Sequence, residues 1–189
     1  MPMELDTPPA EEPVALADVK AHLRIDHADE DDYLNALIVG ARMRLESESD
    51  QAFVTQTWIA YLDRWPATGE YRIPLGPVSS ITEVTVRDAA GTQTAVSPSL
   101  YALDAASEPA RLVLTGALPS PAAIPNGIAV TFQVGFGAAA DVPGDLKHAL
   151  LMVIAHWYEH RDPMIGAETA HAVPKAAHQI MQSYRVMGL

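Results

Sequence analysis

Apolar residues recur along this chain with two different periods, and the places where the period changes divide it into stretches. Leu16, Val19 and Leu23 fall on one helical stripe, so the spacing predicts a short helix from Ala15 that stops near Arg24 to His27. A second helix is expected from about Asp29. Its Leu34, Leu37, Ile38, Ala41 and Leu45 follow the i, i+3, i+4, i+7 rule to an end near Ser49. Gly40 inside that helix costs roughly 1 kcal/mol relative to alanine, which tertiary packing has to offset.

Between Phe53 and Phe136 the period becomes two. Val54, Trp58, Ala60 and Leu62 share one face of a long strand; Thr82, Val84 and Val86 alternate with Glu83, Thr85 and Arg87; Ile128, Val130, Phe132, Val134 and Phe136 alternate almost without fault. Asp88-Ala89-Ala90-Gly91 reads as a turn into Thr92–Val96, and Tyr71–Ile73, Tyr101–Leu103 and Arg111–Leu114 are shorter candidates. Helicity returns at Pro143, a favoured first position, and runs through Leu146, Leu150, Val153, Ile154 and Trp157 to about Glu159. That helix is apolar on several sides, so it needs neighbours on several sides. A last helix is expected from Pro174 to Tyr184.

These elements predict an α+β fold: N- and C-terminal helices forming a small bundle, with an inserted antiparallel β-sandwich or barrel. The expected segments are a flexible arm at 1–13, rich in proline and acid, N-terminal helices at 14–50, the β-domain at 51–140, C-terminal helices at 141–184 and a tail at 185–189. Leu146, Leu150, Val153, Ile154 and Trp157 are the expected core of the bundle or the seam between subunits.

Charge refines the picture. Of 189 residues, 24 are Asp or Glu and 12 are Lys or Arg, a net charge of −12. Residues 1–50 hold 13 acids against 4 bases, and no carboxylate side chain follows Glu168. An acidic head and a mildly basic tail fit either a solvated face or contacts with different partners. Gripping of nucleic acid is disfavoured, because phosphate binding needs clustered Lys and Arg. The absence of cysteine excludes disulfides and thiolate chemistry. Met-Pro-Met-Glu-Leu-Asp has neither the basic nor the apolar region of an export signal, and the run Ala149–Ala155 is far short of the roughly 20 residues of a membrane span. A soluble protein, intracellular when made, is expected.

One string invites an enzymatic reading. His156-Trp157-Tyr158-Glu159-His160 has the H-x-x-E-H spacing in which two imidazoles one helical turn apart hold zinc and the glutamate acts as base. A third ligand is wanting, since the only carboxylate after residue 162 is Glu168 in the adjoining loop. The histidine pair lies at the edge of the core stripe while Glu159 projects well away from that stripe, and His160 sits where the helix ends, where a histidine complements the dipole. No catalytic residue, cofactor or metal site is therefore assigned. Asp29, Glu30, Asp31 and Asp32 lack the spacing of a calcium loop and are read as helix-start charge. Gly135-Phe136-Gly137 lacks the rest of a phosphate loop.

The order of short motifs carries a further signal. Leu16, Val19, Lys20, His22, Leu23, Arg24, Ile25 and Asp26 form a Leu-x-x-Val-Lys-x-His-Leu-Arg-Ile-Asp opening; Thr55-Gln56-Thr57-Trp58, Pro77-Val78-Ser79-Ser80-Ile81-Thr82-Glu83-Val84, Val134-Gly135-Phe136-Gly137 and Val142-Pro143 through Glu159 follow it. Together, over roughly residues 14–186, they resemble the head–tail connector (adaptor) proteins of long-tailed phages, prophages and gene transfer agents, in the subgroup with an inserted β-domain. His160 stands where such proteins tend to have asparagine. The resemblance implies a structural virion protein and not an enzyme: a homo-oligomeric ring, of twelve copies, at the head–tail junction between the portal protein and a tail-side stopper or tail terminator. DNA would pass through it without sequence-specific binding. On this reading Tyr184, Arg185, Val186, Met187, Gly188 and Leu189 dock the portal, and Asp29, Glu30, Asp31 and Asp32 form an acidic channel or partner face that lets a duplex slide. Two rivals remain at this stage, a zinc metallopeptidase using the 156–160 helix and a monomeric module that binds through its β-domain.

Overall fold

The computed structural model describes residues 2–122, 124–161 and 173–185, and the chain divides into two compact units. One is helical, built from Glu11–Val54 and the chain from Phe136; the other, built from Met1–Ala10 and Thr55–Gly135, is made of strands.

In the helical unit, α1 (Leu16–Leu23), α2 (Asp31–Ser49), α3 (Gly144–Glu159) and α4 (Lys175–Tyr184) surround one apolar core. Each contributes the stripe its sequence periodicity marks: Val19 from α1, Leu34, Ile38, Ala41 and Leu45 from α2, Leu146, Leu150, Val153 and Ile154 from α3, Ala177 and Met181 from α4. α1 ends at Arg24, which adopts the left-handed conformation at φ 58°, and α2 ends the same way at Asp50. Pro143 and Pro174 occupy the position just before α3 and α4, where their missing N–H removes no helical bond. The acids at the start of α2 complement its dipole, yet no side chain caps it by hydrogen bond.

The second unit holds two antiparallel sheets. The larger runs β1 (Met3–Thr7), β2 (Gln56–Leu62), β8 (Ile128–Val134), β4 (Val78–Arg87) and β5 (Gln93–Ala95); the smaller runs β3 (Glu70–Arg72), β7 (Arg111–Leu114) and β6 (Tyr101–Asp104). Central β8 alternates faultlessly, with Ile128, Val130, Phe132 and Val134 buried and the residues between them half-buried. The predicted turn between β4 and β5 is present: the Asp88 carboxylate accepts from the Ala90 and Thr92 N–H groups at 2.9 Å, and Gly91 takes φ 86°.

Two expectations require correction. The larger sheet ends in free edges at β1 and β5, so it is not a closed barrel. The N-terminal stretch expected as a flexible arm contributes β1, paired with β2 from Met3↔Ala60 to Thr7↔Thr57. An edge strand held by backbone bonds needs no buried side-chain alternation, and β1 has only Met3 half-buried. Pro8 and Pro9, which lack N–H groups, follow it directly.

Candidate functional site

The H-x-x-E-H string lies on the last turn of α3. The rings of His156 and His160 are stacked at a tilt, centroids 4.4 Å apart, and His160 Nδ1 lies 2.8 Å from the His156 carbonyl oxygen. That carbonyl bond occupies one imidazole nitrogen in closing the helix. Among the described residues no group of three or more His, Cys, Asp or Glu side chains is placed to hold a metal ion, and Glu168 lies outside those residues.

The acidic cluster is drawn largely into the bundle. Arg161, just past the end of α3, donates to Glu30 at 2.6 Å, while its guanidinium stacks 4.2 Å from the Tyr158 ring centroid and 4.6 Å from that of Tyr33. The Tyr158 hydroxyl donates to the same carboxylate. Hydrogen bonds from Arg161 and then Tyr158 bring the Glu30 carboxyl down to about 2, and the Tyr158 phenol is raised by the same contact. Asp31 is paired with Lys20 at 2.7 Å. Only Asp29, 3.8 Å from His27, and Asp32 are left fully on the surface. The four acids therefore do not form one free negative face, because two of them close the junctions of α2 with α1 and α3.

Leu146, Leu150, Val153 and Ile154 are buried within a single chain. Trp157 is half-buried, with its ring beside Gly40 of α2. Of the proposed docking tail, Tyr184 is bound back onto its own unit: its hydroxyl donates to the Asp145 carboxylate at 2.8 and 2.9 Å, its ring meets Phe136 edge-on at 6.2 Å, and its carbonyl accepts from Gln51 at 3.2 Å. Burial and then the Asp145 contact push its phenol up to about 12. Arg185 is exposed, 4.0 Å from Asp50; Val186, Met187, Gly188 and Leu189 lie outside the described residues.

The sequence reading missed a buried charge. Arg42 is 6% exposed on the core side of α2, bonded to Glu12 at 2.7 and 3.2 Å and to Glu46 at 2.8 Å; Glu46 also accepts from the Phe53 N–H at 2.8 Å. Helical phase was the available signal, since Arg42 follows Ile38 by four positions.

These groups form junctions and anchors, and none of them forms a pocket of convergent reactive side chains. Comparison with known proteins agrees. Residues 13–97 match the family model described as phage gp6-like head-tail connector protein. Over the whole chain, the fold matches a chain from the neck of an empty gene transfer agent particle computed with C6 symmetry, at 25% identity and TM-score 0.82, covering 100% of this chain and 97% of that one. The chain is thus similar to a head–tail connector family over its first half and to particle-neck chains over its whole length. Chains from the virion of a native gene transfer agent particle (25% identity, TM-score 0.81) and from a native neck computed with C12 symmetry (26%, 0.74) match with the same coverage. No curated protein sequence matches it significantly. Neither the matched family nor the matched structures are enzymes.

The motifs that carry the connector-like resemblance take structural roles. Val19 fills the core, Lys20 ties α1 to Asp31, and Arg24 turns the chain out of α1 so that Ile25 N–H reaches the Lys20 carbonyl at 2.9 Å. Gly137, at φ 134°, admits the Asp141 carboxylate within 2.4 Å of where a Cβ would stand, and that carboxylate accepts from the Ala138 N–H at 2.9 Å.

Proposed function

We propose that this chain is a structural head–tail connector whose identical copies form a ring of twelve at the head–tail junction of a phage, prophage or gene transfer agent particle. The ring sits between the portal protein and a tail-side stopper or tail terminator. The observation that carries this reading is the whole-chain likeness to particle-neck chains, one of them computed with C12 symmetry. Twelve copies related by one axis form a closed annulus.

DNA passes through that annulus without sequence-specific binding. In support, the chain is acidic overall at −12, and four of its twelve lysines and arginines, Lys20, Arg42, Arg111 and Arg161, are already paired with carboxylates at 2.6–2.9 Å. Asp29 and Asp32 are the members of the acidic cluster that remain available to such a channel or to a partner face. Portal docking falls to the tail from Arg185 through Leu189, with Tyr184 as the anchor that fixes where the tail leaves the bundle.

Purified chain mixed with purified portal protein and imaged by electron microscopy tests the reading. Closed rings of this chain seated on the portal are expected. A chain that stays unbound and dispersed at saturating portal concentration contradicts it.

A further inference from the structure

We propose that Asn126–Gly127 is a site of spontaneous covalent modification, at which the chain closes a succinimide ring and then opens it to aspartate or isoaspartate. The site stands apart from the ring reading, because its chemistry needs only this chain and water. The fold itself sets the two reactive residues side by side. Asn126 is exposed and takes φ 58° in the turn that leads into β8. That left-handed conformation crowds a Cβ against the backbone, and asparagine is among the few residues other than glycine that adopt it readily. At the next position glycine is required by close approach, since a Cβ on Gly127 would stand 3.0 Å from Pro121 Cβ and 3.3 Å from the Ala122 carbonyl oxygen. The backbone angle favours asparagine at one position and the packing favours glycine at the next. An asparagine followed by an unhindered amide nitrogen is the pairing that closes the ring most readily.

The turn is fastened on either side of the reacting peptide and not through it. The Asn126 N–H donates to the Asp63 carboxylate at 2.7 Å, and the Gly127 carbonyl accepts from the Arg87 N–H at 2.8 Å. The peptide group between the two residues can therefore turn about the line joining their Cα atoms while both bonds stay in place. In that motion ψ of Asn126 and φ of Gly127 change in opposite senses, and glycine tolerates the change in φ. A rotation of this kind carries the Gly127 nitrogen toward the Asn126 side-chain carbonyl carbon. The nitrogen gives its proton to a solvent base and bonds to that carbon; the carbon–nitrogen bond of the side-chain amide breaks, and ammonia leaves. Water then adds to one of the two ring carbonyls. Opening at the side-chain carbonyl leaves aspartate, and opening at the backbone carbonyl leaves isoaspartate, with one extra methylene in the main chain. Either product sets a new carboxylate beside that of Asp63, and the two like charges repel. Isoaspartate also lengthens the approach to β8, the central strand of the larger sheet, so conversion loosens the turn.

The test ages purified full-length chain in mildly alkaline buffer, with a synthetic peptide of residues 122–130 as the timer. When the peptide is fully converted, mass spectrometry of the digested chain should show Asn126 changed by one water gained and one ammonia lost, and an isoaspartate-specific methyltransferase should label the same fragment. Asn35, the other asparagine of the chain, is exposed within α2 and followed by Ala36, and it should remain intact. The aged chain should melt below the fresh one. Asn126→Gly keeps the left-handed turn, so it should melt close to the fresh parent and show neither the mass change nor the drop in melting temperature on ageing. An intact Asn126 in the folded chain when the timer has run out overturns the proposal. So does conversion confined to chain unfolded in urea, or conversion equal at Asn126 and Asn35.

Discussion

Arg161 shows how single residues govern this molecule. It joins the start of α2 to the end of α3 through Glu30 and two tyrosine rings, and it turns an acid that the sequence offers as channel surface into a clasp. Because Glu30 titrates near 2 in the fold instead of its ordinary 4.5, the stability it contributes is complete above about pH 4.5 and is lost as pH falls toward 2. Glu30→Gln should therefore be less stable than the parent at pH 7, with the gap closing near pH 2 in acid-unfolding curves. A gap independent of pH would show that the clasp does not depend on charge. Glu46 carries two duties, as partner of buried Arg42 and acceptor for the Phe53 N–H. Glu46→Ala should cost about 3 kcal/mol in urea unfolding, more than Glu12→Ala, because it leaves a buried guanidinium short of charge and an amide without an acceptor.

At the scale of elements, the helices and the central strands were legible because each buries one face. The 3.6-residue stripe of α2 and the period of two in β8 reappear directly as burial. What the sequence did not disclose was set by long-range pairing. β1 belongs to the sheet through its backbone, Arg42 is buried because Glu12 reaches it from thirty residues away, and Glu30 and Asp31 at the start of α2 are taken up by Arg161 and Lys20. Deleting residues 1–7 should leave the helical unit folded but expose the edge of β2, increasing self-association in light scattering. On α3, Trp157 is half-buried, so Trp157→Ala should cost about 2–3 kcal/mol by denaturant unfolding, less than a fully buried tryptophan would. Its ring lies beside Gly40.

For the whole molecule, the sequence carried its likeness to head–tail connectors in the order of motifs none of which is reactive, and those motifs turn out to shape core, helix ends and a tight glycine turn. The H-x-x-E-H string remains a helix terminus with stacked histidines. In the proposed reading the tail is the part whose role depends on a partner. A chain truncated after Arg185 retains the Tyr184 anchor, so its melting should match the parent while portal affinity is lost; full affinity would assign docking elsewhere. The claim beneath all of this is that identical copies enclose the DNA path. Reconstruction of the neck from purified particles, without imposed symmetry, tests it most directly. It should show this chain as a closed ring around the channel at the head–tail junction, and a neck density into which the chain cannot be placed, or in which it occurs as isolated copies, would contradict it.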